Sequence, residues 1–428
     1  MPAGTRPFQI VVALALALNA GCASRDRCAE TGCAGAAPQV LECRPAERLP
    51  IRPSVSSIAP QDVPPRFDGD TRFCALEERE AQCLAAKNAP IANLLVHEAD
   101  AAAAQSQGLC GHKGGSEMTS EVLRLESVYK RNVAAGDALE AFLRLLEAEA
   151  GADNLEQRGR EMNLVLADVG RLQERGIVSP VSKPEAEGQR LDLWHRQTEL
   201  GATVSTLNFQ LKNLLGVDTV GDARIWPQAS LAVTADVPDR QQSVNVALAN
   251  RADLAAVRLV AGSNSDDSDA AARAILQLSG GGLGAAPPPM GCLALLVHHR
   301  AADDERAARS AQMAELLADR ERAARDETLQ AIAILEARIG QIAIARQRLA
   351  VAQAHLQASE QQQQLTAGAP LGVRKARLDV LAIEQDLLHD AIEWKLAVVK
   401  LKEAEGLLAV ECGYDAASRV LRQMNCCP

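Results

Sequence analysis

The sequence predicts an all-α protein made of two tandem repeats, each a long antiparallel coiled-coil hairpin. The clearest observation is a seven-residue apolar period between Ala301 and Leu408. It runs through Leu335, Ile342, Leu349 and Leu356 on one arm, and through Val373, Val380, Leu387, Trp394, Leu401 and Leu408 on the other. A strict period of seven keeps one side of a helix against a partner. The break around Gly368 and Pro370 separates the arms, so they are expected to fold back on each other.

The composition is the second observation, and it favours a thin helical assembly. Aromatic residues make up only 2% of the 428 residues, so few large side chains are available for a thick globular core. The net charge of −10 disfavours a nucleic-acid partner, because phosphate backbones are bound by basic surfaces.

Residues 1–21 have the layout of a cleaved signal peptide. The stretch Phe8–Leu18 is apolar apart from one glutamine and is too short to span a bilayer comfortably. Cys22 follows small residues in a pattern similar to a bacterial lipoprotein lipobox, with Asn19 where that motif prefers leucine. We expect lipidation of Cys22 and, from Ala23 after it, an outer-membrane destination. The alternative is an ordinary secretory signal cut near Ala20, which leaves Cys22 a plain thiol.

A Pro-, Ala- and Arg-rich linker without periodicity occupies residues 22–67 and is expected to be disordered. The first repeat covers 68–217 and reads as helical over Cys74–Leu95 and Glu117–Gln173. A turn at Gly176 leads into a return arm with leucines every seven residues, which ends at Gly216.

An irregular connection spans 218–240, the second repeat spans 241–412, and a tail spans 413–428. The second repeat begins with an amphipathic helix, Ser243–Arg258, and its hairpin turns at Gly368. The two halves share the same order of elements. Asn88 and Asn250 are 162 positions apart and the two turn glycines 192, so an internal duplication with about 30 extra residues in the second half is our interpretation.

Four features together resemble the bacterial outer-membrane efflux (TolC-like) family. They are the stretch Ala249–Leu254 (ANRADL), the duplicated hairpin with glycine turns, the Leu-Leu-Gly end of the first return arm, and the alanines Ala343, Ala350, Ala354 and Ala358 along the long helix. The stretch differs from the family's pattern in having Ala252 instead of proline. The resemblance implies a homotrimer that forms a periplasmic helical tunnel. It also implies an inner-membrane efflux pump and a periplasmic adaptor as partners, and passive export of small molecules.

The sequence departs from that family where membrane strands are expected, so we predict little or no β-barrel. A spanning strand needs about ten residues, and Ala104–Ser116 is too short and polar for two. In the second half only the apolar runs Ala274–Leu278 and Cys292–Val297 offer a short strand pair. The lipid on Cys22 would then be the main attachment to the outer membrane.

The hairpin ends differ as well. The family often has an acidic residue shortly after the turn glycine, whereas this chain has Ser182 in the first hairpin, and Arg374 and Lys375 in the second. These three residues are our candidates for the pore mouth, which is therefore expected to be basic and to favour anions.

No catalytic, cofactor or metal site is expected. His298 and His299 are adjacent and so do not share a helix face, and His195, His355 and His389 are isolated, as expected for solvated or interfacial residues. The glycine runs lack the Lys-Ser/Thr of a phosphate loop.

The 11 cysteines suit an exported chain. Cys74 and Cys83 lie too far apart on one helix to bond to each other. We expect instead a Cys110–Cys292 bond, and Cys426 or Cys427 within reach of Cys412.

Two functions remain open from the sequence. The first is a lipid-anchored, trimeric component of an efflux conduit. The second is a non-conducting periplasmic coiled-coil lipoprotein that acts as a scaffold or adaptor.

Overall fold

The computed structural model describes residues 39–40, 44–45, 72–105, 113–218, 223–263, 268–279, 298–366 and 370–415. The described part is dominated by ten helices, and it contains five short strands and no closed barrel. The predicted all-α hairpin architecture is confirmed. The signal peptide, Cys22 and nearly all of the linker lie outside the described residues, although Gln39–Val40 (β1) and Arg44–Pro45 (β2) form two-residue strands.

The first repeat contains a pair of short helices followed by a long hairpin. The short helices are α1 (Glu78–Asn88) and α2 (Pro90–Gln105). The hairpin is formed by α3 (Lys113–Glu174) and α4 (Lys183–Leu215), and at about 1.5 Å per residue α3 is roughly 93 Å long. Short strands follow at Val217–Asp218 (β4) and Arg224–Gln228 (β5).

The second repeat has the same plan with one additional short helix. Its short helices are α5 (Arg240–Asn250), α6 (Ala252–Ala261) and α7 (Ser268–Leu278). The hairpin is formed by α8 (His298–Thr366) and α9 (Pro370–Ala404), and a last short helix, α10, spans Leu407–Glu411. The segment 262–297, which includes α7, accounts for most of the extra residues in the second half.

The seven-residue pattern predicts the hairpin contacts correctly. Leu335, Ile342 and Leu349 on α8 are buried in one cluster with Val380 and Leu387 on α9. In the first hairpin, α4 packs on α3 through a buried row that includes Leu193, Val204 and Leu211. The long helix α3 also packs against α9, so the four long helices are ordered α4–α3–α9–α8 and only α4 and α8 are at the edges.

The joint between the first two short helices is built in the same way in both repeats. Ala89 and Arg251, the residues between the paired helices, have φ/ψ values of −53°/109° and −65°/116°. Each joint lies against the glycine that ends the return arm of the same repeat. A Cβ on Gly216 would lie 3.1 Å from the Asn88 side chain, and one on Gly406 would lie 3.2 Å from the Arg251 backbone. This correspondence agrees with an internal duplication.

Substituting Gly406 by alanine should destabilise the protein by about 2–3 kcal/mol. Its φ of +73° disfavours a side chain, and the new Cβ would press on the backbone of the joint. Gly176→Ala is the matched control, because Gly176 has a φ of +68° and open space around it. Only the backbone strain applies there, so we expect a loss of about 1 kcal/mol. Urea unfolding measures both, and equal losses would contradict the role of the close contact.

A buried ionic network surrounds the second joint. The Arg251 guanidinium donates two hydrogen bonds to Asp253, at 3.0 and 3.1 Å, and pairs with Glu327 on α8. Arg320 on α8 lies 3.4 Å from Glu126 on α3. Burial raises the pKa of Glu126, although the charge of Arg320 opposes this shift. The Arg and Asp of the family-like stretch 249–254 thus bind each other and join α6 to α8.

Some local predictions are wrong. Arg72–Glu77 (β3) is a strand that pairs with β5 in parallel and with β2 in antiparallel orientation, although Cys74–Leu95 was predicted to be helical on both sides of a break at Asn88–Pro90. The connection 218–240, predicted to be irregular, contains β5, whose Trp226 packs edge-on against Phe73 at 5.3 Å. Ala274–Leu278 belongs to helix α7 instead of a strand. Ile275 and Leu276 pack there against short helices and α3, and burial on one side suits a helix as well as a strand.

A disulfide joins the beginning of the first repeat to the end of the second. Cys83 on α1 is bonded to Cys412, just after α10. Cys412, which we placed within reach of Cys426 or Cys427, is therefore already bonded to another cysteine. The two segments meet because α1 packs beside α10, where the Gln82 side chain donates a 2.8 Å hydrogen bond to the Leu408 carbonyl. Cys74 is also disulfide-bonded, and Cys110 and Cys292 lie outside the described residues.

Candidate functional site: hairpin ends and two uncovered seams

The end of the first hairpin is a short turn that leaves apolar side chains exposed. Gly176 lies in the turn that the sequence predicted and takes the left-handed conformation, with a φ of +68°. Ile177 and Val178 follow it with exposed fractions of 50% and 92%. Ser182 begins α4, and its hydroxyl accepts a 3.3 Å hydrogen bond from the Glu185 backbone N–H. The turn at Gly368 lies outside the described residues.

Arg374 and Lys375 differ in their surroundings. The Arg374 guanidinium lies 3.1 Å from Glu161 and 3.3 Å from Asp168, both on α3. Arg377, one turn further along α9, pairs with Glu360 on α8 at 3.0 Å. Lys375 is exposed. The ionic contacts therefore tie α3, α9 and α8 together near the hairpin ends, and Lys375 is the more accessible of the two candidate basic residues.

The acidic partners of Arg374 were not found from the sequence. Glu161 and Asp168 are seven residues apart on α3, so they lie on the same side of that helix. The sequence does contain a signal for these residues, because two acidic side chains recur at the seven-residue period of an apolar row. It does not indicate that Arg374 is their partner, because that contact depends on how α3 and α9 pack.

Helix α4 has a second row of residues, which we call the α4 seam, on the side away from α3. Its positions alternate in steps of three and four, as on one side of a coiled-coil helix. The row consists of Gly188, Leu191, His195, Thr198, Ala202, Ser205 and Phe209. All are exposed except the half-buried Ser205. Phe209 is 71% exposed, which is unusual for so large an apolar side chain.

Helix α8 has a corresponding row, the α8 seam, on the side away from α9. It consists of Ala333, Ala337, Gly340, Ile344, Gln347, Val351, Ala354, Ala358, Gln361 and Leu365, all exposed. Two of the alanines singled out in the sequence belong to it, and Ala343 and Ala350 are exposed beside it. Val351 is 71% exposed and Leu365 86%. The α4 seam and the α8 seam thus contain no Lys, Arg, Asp or Glu.

Among the described residues, the stretch Asp304–Leu365 of α8 is long and apolar enough to cross a membrane, judged by length and composition alone. The apolar content of α8 is explained by its two rows of apolar residues. One row is buried against α9, and the other is the α8 seam. Arg338 within this stretch pairs with Glu393 on α9 at 2.7 Å, a contact between packed helices.

The chain is similar to known proteins in its structure. No protein-family model and no curated protein matches the sequence. Among solved structures, the chain is similar to the Campylobacter jejuni CmeC outer membrane channel, with a TM-score of 0.58, 10% identity, and coverage of 81% of this chain and 88% of that one. The chain has the fold of an outer-membrane channel.

Two further channels support this assignment of the fold. CusC, described for its transmembrane channel formation, matches with a TM-score of 0.53, 16% identity, and coverage of 77% of this chain and 92% of CusC. The Neisseria gonorrhoeae MtrE outer membrane channel matches with a TM-score of 0.50, 13% identity, and coverage of 77% and 88%. The resemblance to the outer-membrane efflux family is therefore confirmed for the fold.

Proposed function

We propose that this chain forms a ring of three copies, a periplasmic helical tunnel for the passive export of small molecules. The observation that carries the proposal is the pair of uncovered seams on α4 and α8. An uncharged row that leaves large apolar side chains uncovered, such as Phe209 on α4 and Val351 on α8, is expected to have a neighbour on that side. Because α4 and α8 are the two edges of the four-helix unit, a contact between the α4 seam of one copy and the α8 seam of the next closes a ring.

The proposed partners are the outer membrane, a periplasmic adaptor and an inner-membrane pump. In this proposal a lipid on Cys22 attaches the ring to the outer membrane. The exposed Ile177 and Val178 offer an apolar surface at the end of the first hairpin, which suits a periplasmic adaptor that connects the ring to an inner-membrane pump. Ser182, Arg374 and Lys375 are our proposed pore-mouth residues, with Lys375 as the accessible charge. No catalytic activity is proposed.

A specific observation favours the second candidate, a non-conducting scaffold lipoprotein. Helix α2 ends at Gln105 and α3 begins at Lys113. Residues 106–112 are fewer than the roughly 9–11 that one membrane-spanning strand needs. The first repeat therefore has no room for a pair of spanning strands, and the ring would reach the outer membrane without crossing it in the usual way.

Sizing and conductance of the full-length protein distinguish these functions. The wild type should sediment as a trimer and carry ions after reconstitution. Val351→Glu places a carboxylate on the α8 seam, where burial without a partner is costly, and should weaken the trimer at least about 100-fold. Ala350→Glu is the matched control, because Ala350 is exposed beside the seam, and it should leave the trimer intact.

Each result has a clear meaning for the two candidates. A trimer without conductance would support the scaffold function. A monomeric wild type, or equal effects of Val351→Glu and Ala350→Glu, would overturn the ring.

A further inference from the structure

One ionisable side chain lies on the two seams. It is His195, in the middle of the α4 seam. All the other seam residues are glycine, alanine, threonine, serine, glutamine or apolar. Histidine is the side chain that changes charge between about pH 5 and 8. Within the two seams, the charge therefore depends on pH at His195 alone.

In the separate chain His195 is well solvated. Its side chain is 74% exposed, and Nε2 lies 3.3 Å from a carboxylate oxygen of Glu199, which is 65% exposed. Such exposed pairs contribute little to stability. In the separate chain, water therefore surrounds both the imidazole and the Glu199 carboxylate.

Ring formation changes these surroundings. The α8 seam of the next copy would cover the imidazole with small, apolar and amide side chains, none of them acidic. Removing a charged imidazolium from water without a new partner is unfavourable, whereas the neutral ring tolerates an apolar contact much better. Ring formation therefore buries His195 easily when its imidazole is neutral, and at a cost in free energy when the imidazole is protonated.

The charged groups around this contact do not reverse the effect. On α4 itself, Asp192, Arg196 and Glu199 flank His195, and they are present with or without the ring. On α3, burial lowers the pKa of Arg158, and the positive charge of Arg196 adds to this shift. The groups beside the α8 seam are Glu336, which already pairs with Arg240 at 2.8 Å, and Arg348 and His355. The positive charge of Arg348 repels a second positive charge.

We propose that His195 makes assembly of the ring sensitive to pH: copies associate when its imidazole is neutral and separate when it is protonated. This inference rests on the ring proposed above and adds its regulation. Because only the neutral imidazole fits the contact between two copies, lowering the pH weakens each contact. By linkage, the dissociation constant of each contact rises by up to about tenfold for each unit by which the pH falls. A ring of three has three such contacts.

Sedimentation of the full-length protein between pH 8 and pH 5 tests this inference. The wild type should be trimeric at pH 8 and lose the trimer as the pH is lowered to 5, while circular dichroism shows that its helices persist. His195→Gln keeps a polar side chain of similar reach but cannot be charged, and it should remain trimeric over the whole range. His97→Gln is the control, because His97 is exposed on α2, away from both seams, and it should lose the trimer as the wild type does.

The outcomes separate this inference from the ring itself. A wild type that is monomeric at pH 8 would overturn the ring and the inference together. A trimer that dissociates at the same pH in the wild type and in His195→Gln would overturn the role of His195 and leave the ring standing. A wild-type trimer that is unaffected by pH would do the same.

Discussion

Replacing Arg251 by methionine should lower the free energy of unfolding by about 3–5 kcal/mol. Arg251 is 8% exposed and Asp253 3%, so the substitution leaves the Asp253 carboxylate buried without its main partner. Removing one member of a buried ion pair is strongly destabilising, because the remaining charge has lost its water as well as its partner. Methionine keeps the apolar length of the side chain, so the loss of packing is small.

Arg240→Met is the control for this substitution. Arg240 also pairs with a glutamate on α8, Glu336, at 2.8 Å, but its side chain is 62% exposed. Exposed ion pairs contribute about 0–1 kcal/mol, so this variant should be nearly as stable as the wild type. Urea unfolding at a fixed protein concentration measures both, since association also shifts apparent stability. If the two variants lost equal stability, the Arg251 network would not be a buried support of the second joint.

Removing the Cys83–Cys412 disulfide should destabilise the protein by about 4 kcal/mol. The two cysteines are 329 positions apart, and a bond that closes so long a loop restricts the unfolded chain strongly. The variant Cys83→Ser/Cys412→Ser leaves no free thiol at this site, so its comparison with the oxidised wild type isolates the bond. The expected loss appears as a lower urea midpoint with an unchanged helix content in the absence of urea.

A different variant keeps the disulfide but removes a neighbouring contact. Gln82→Leu deletes the hydrogen bond to the Leu408 carbonyl and leaves Cys83 and Cys412 in place. It should lose about 1–3 kcal/mol, less than the double serine variant. An equal midpoint for the wild type and the double serine variant would show that packing of α1 against α10 holds these segments without the covalent bond.

Much of the fold was predictable because the relevant signals are local. The seven-residue rows on α8 and α9 determine which side of each helix is buried, whatever the rest of the chain does. Gly176, Gly216 and Gly406 end or turn helices through positive φ values of 60–73°, a conformation that glycine adopts without a steric penalty. The second row on α8 was also present in the sequence. The structure was needed to show that it stays uncovered in the separate chain.

The errors fall on short segments whose local pattern fits more than one structure. A six-residue stretch such as Arg72–Glu77 is too short for its period to separate strand from helix, and its pairing with β5 decides the outcome. Ala274–Leu278 is the opposite case, since the helix is selected by the surface of α3 and the neighbouring short helices that it covers.

The sequence by itself determined the two hairpins, their glycine turns, the apolar sides of the long helices and the placement of a single histidine among uncharged seam residues. These features depend on the spacing of residues along the chain, and that spacing determines which side of a helix each residue occupies. Only the tertiary structure decided that Cys83 bonds Cys412, that Arg374 pairs with Glu161 and Asp168, and that α4 and α8 are the open edges. Those contacts join segments far apart in the chain, and no local pattern records which distant surfaces meet when the helices pack.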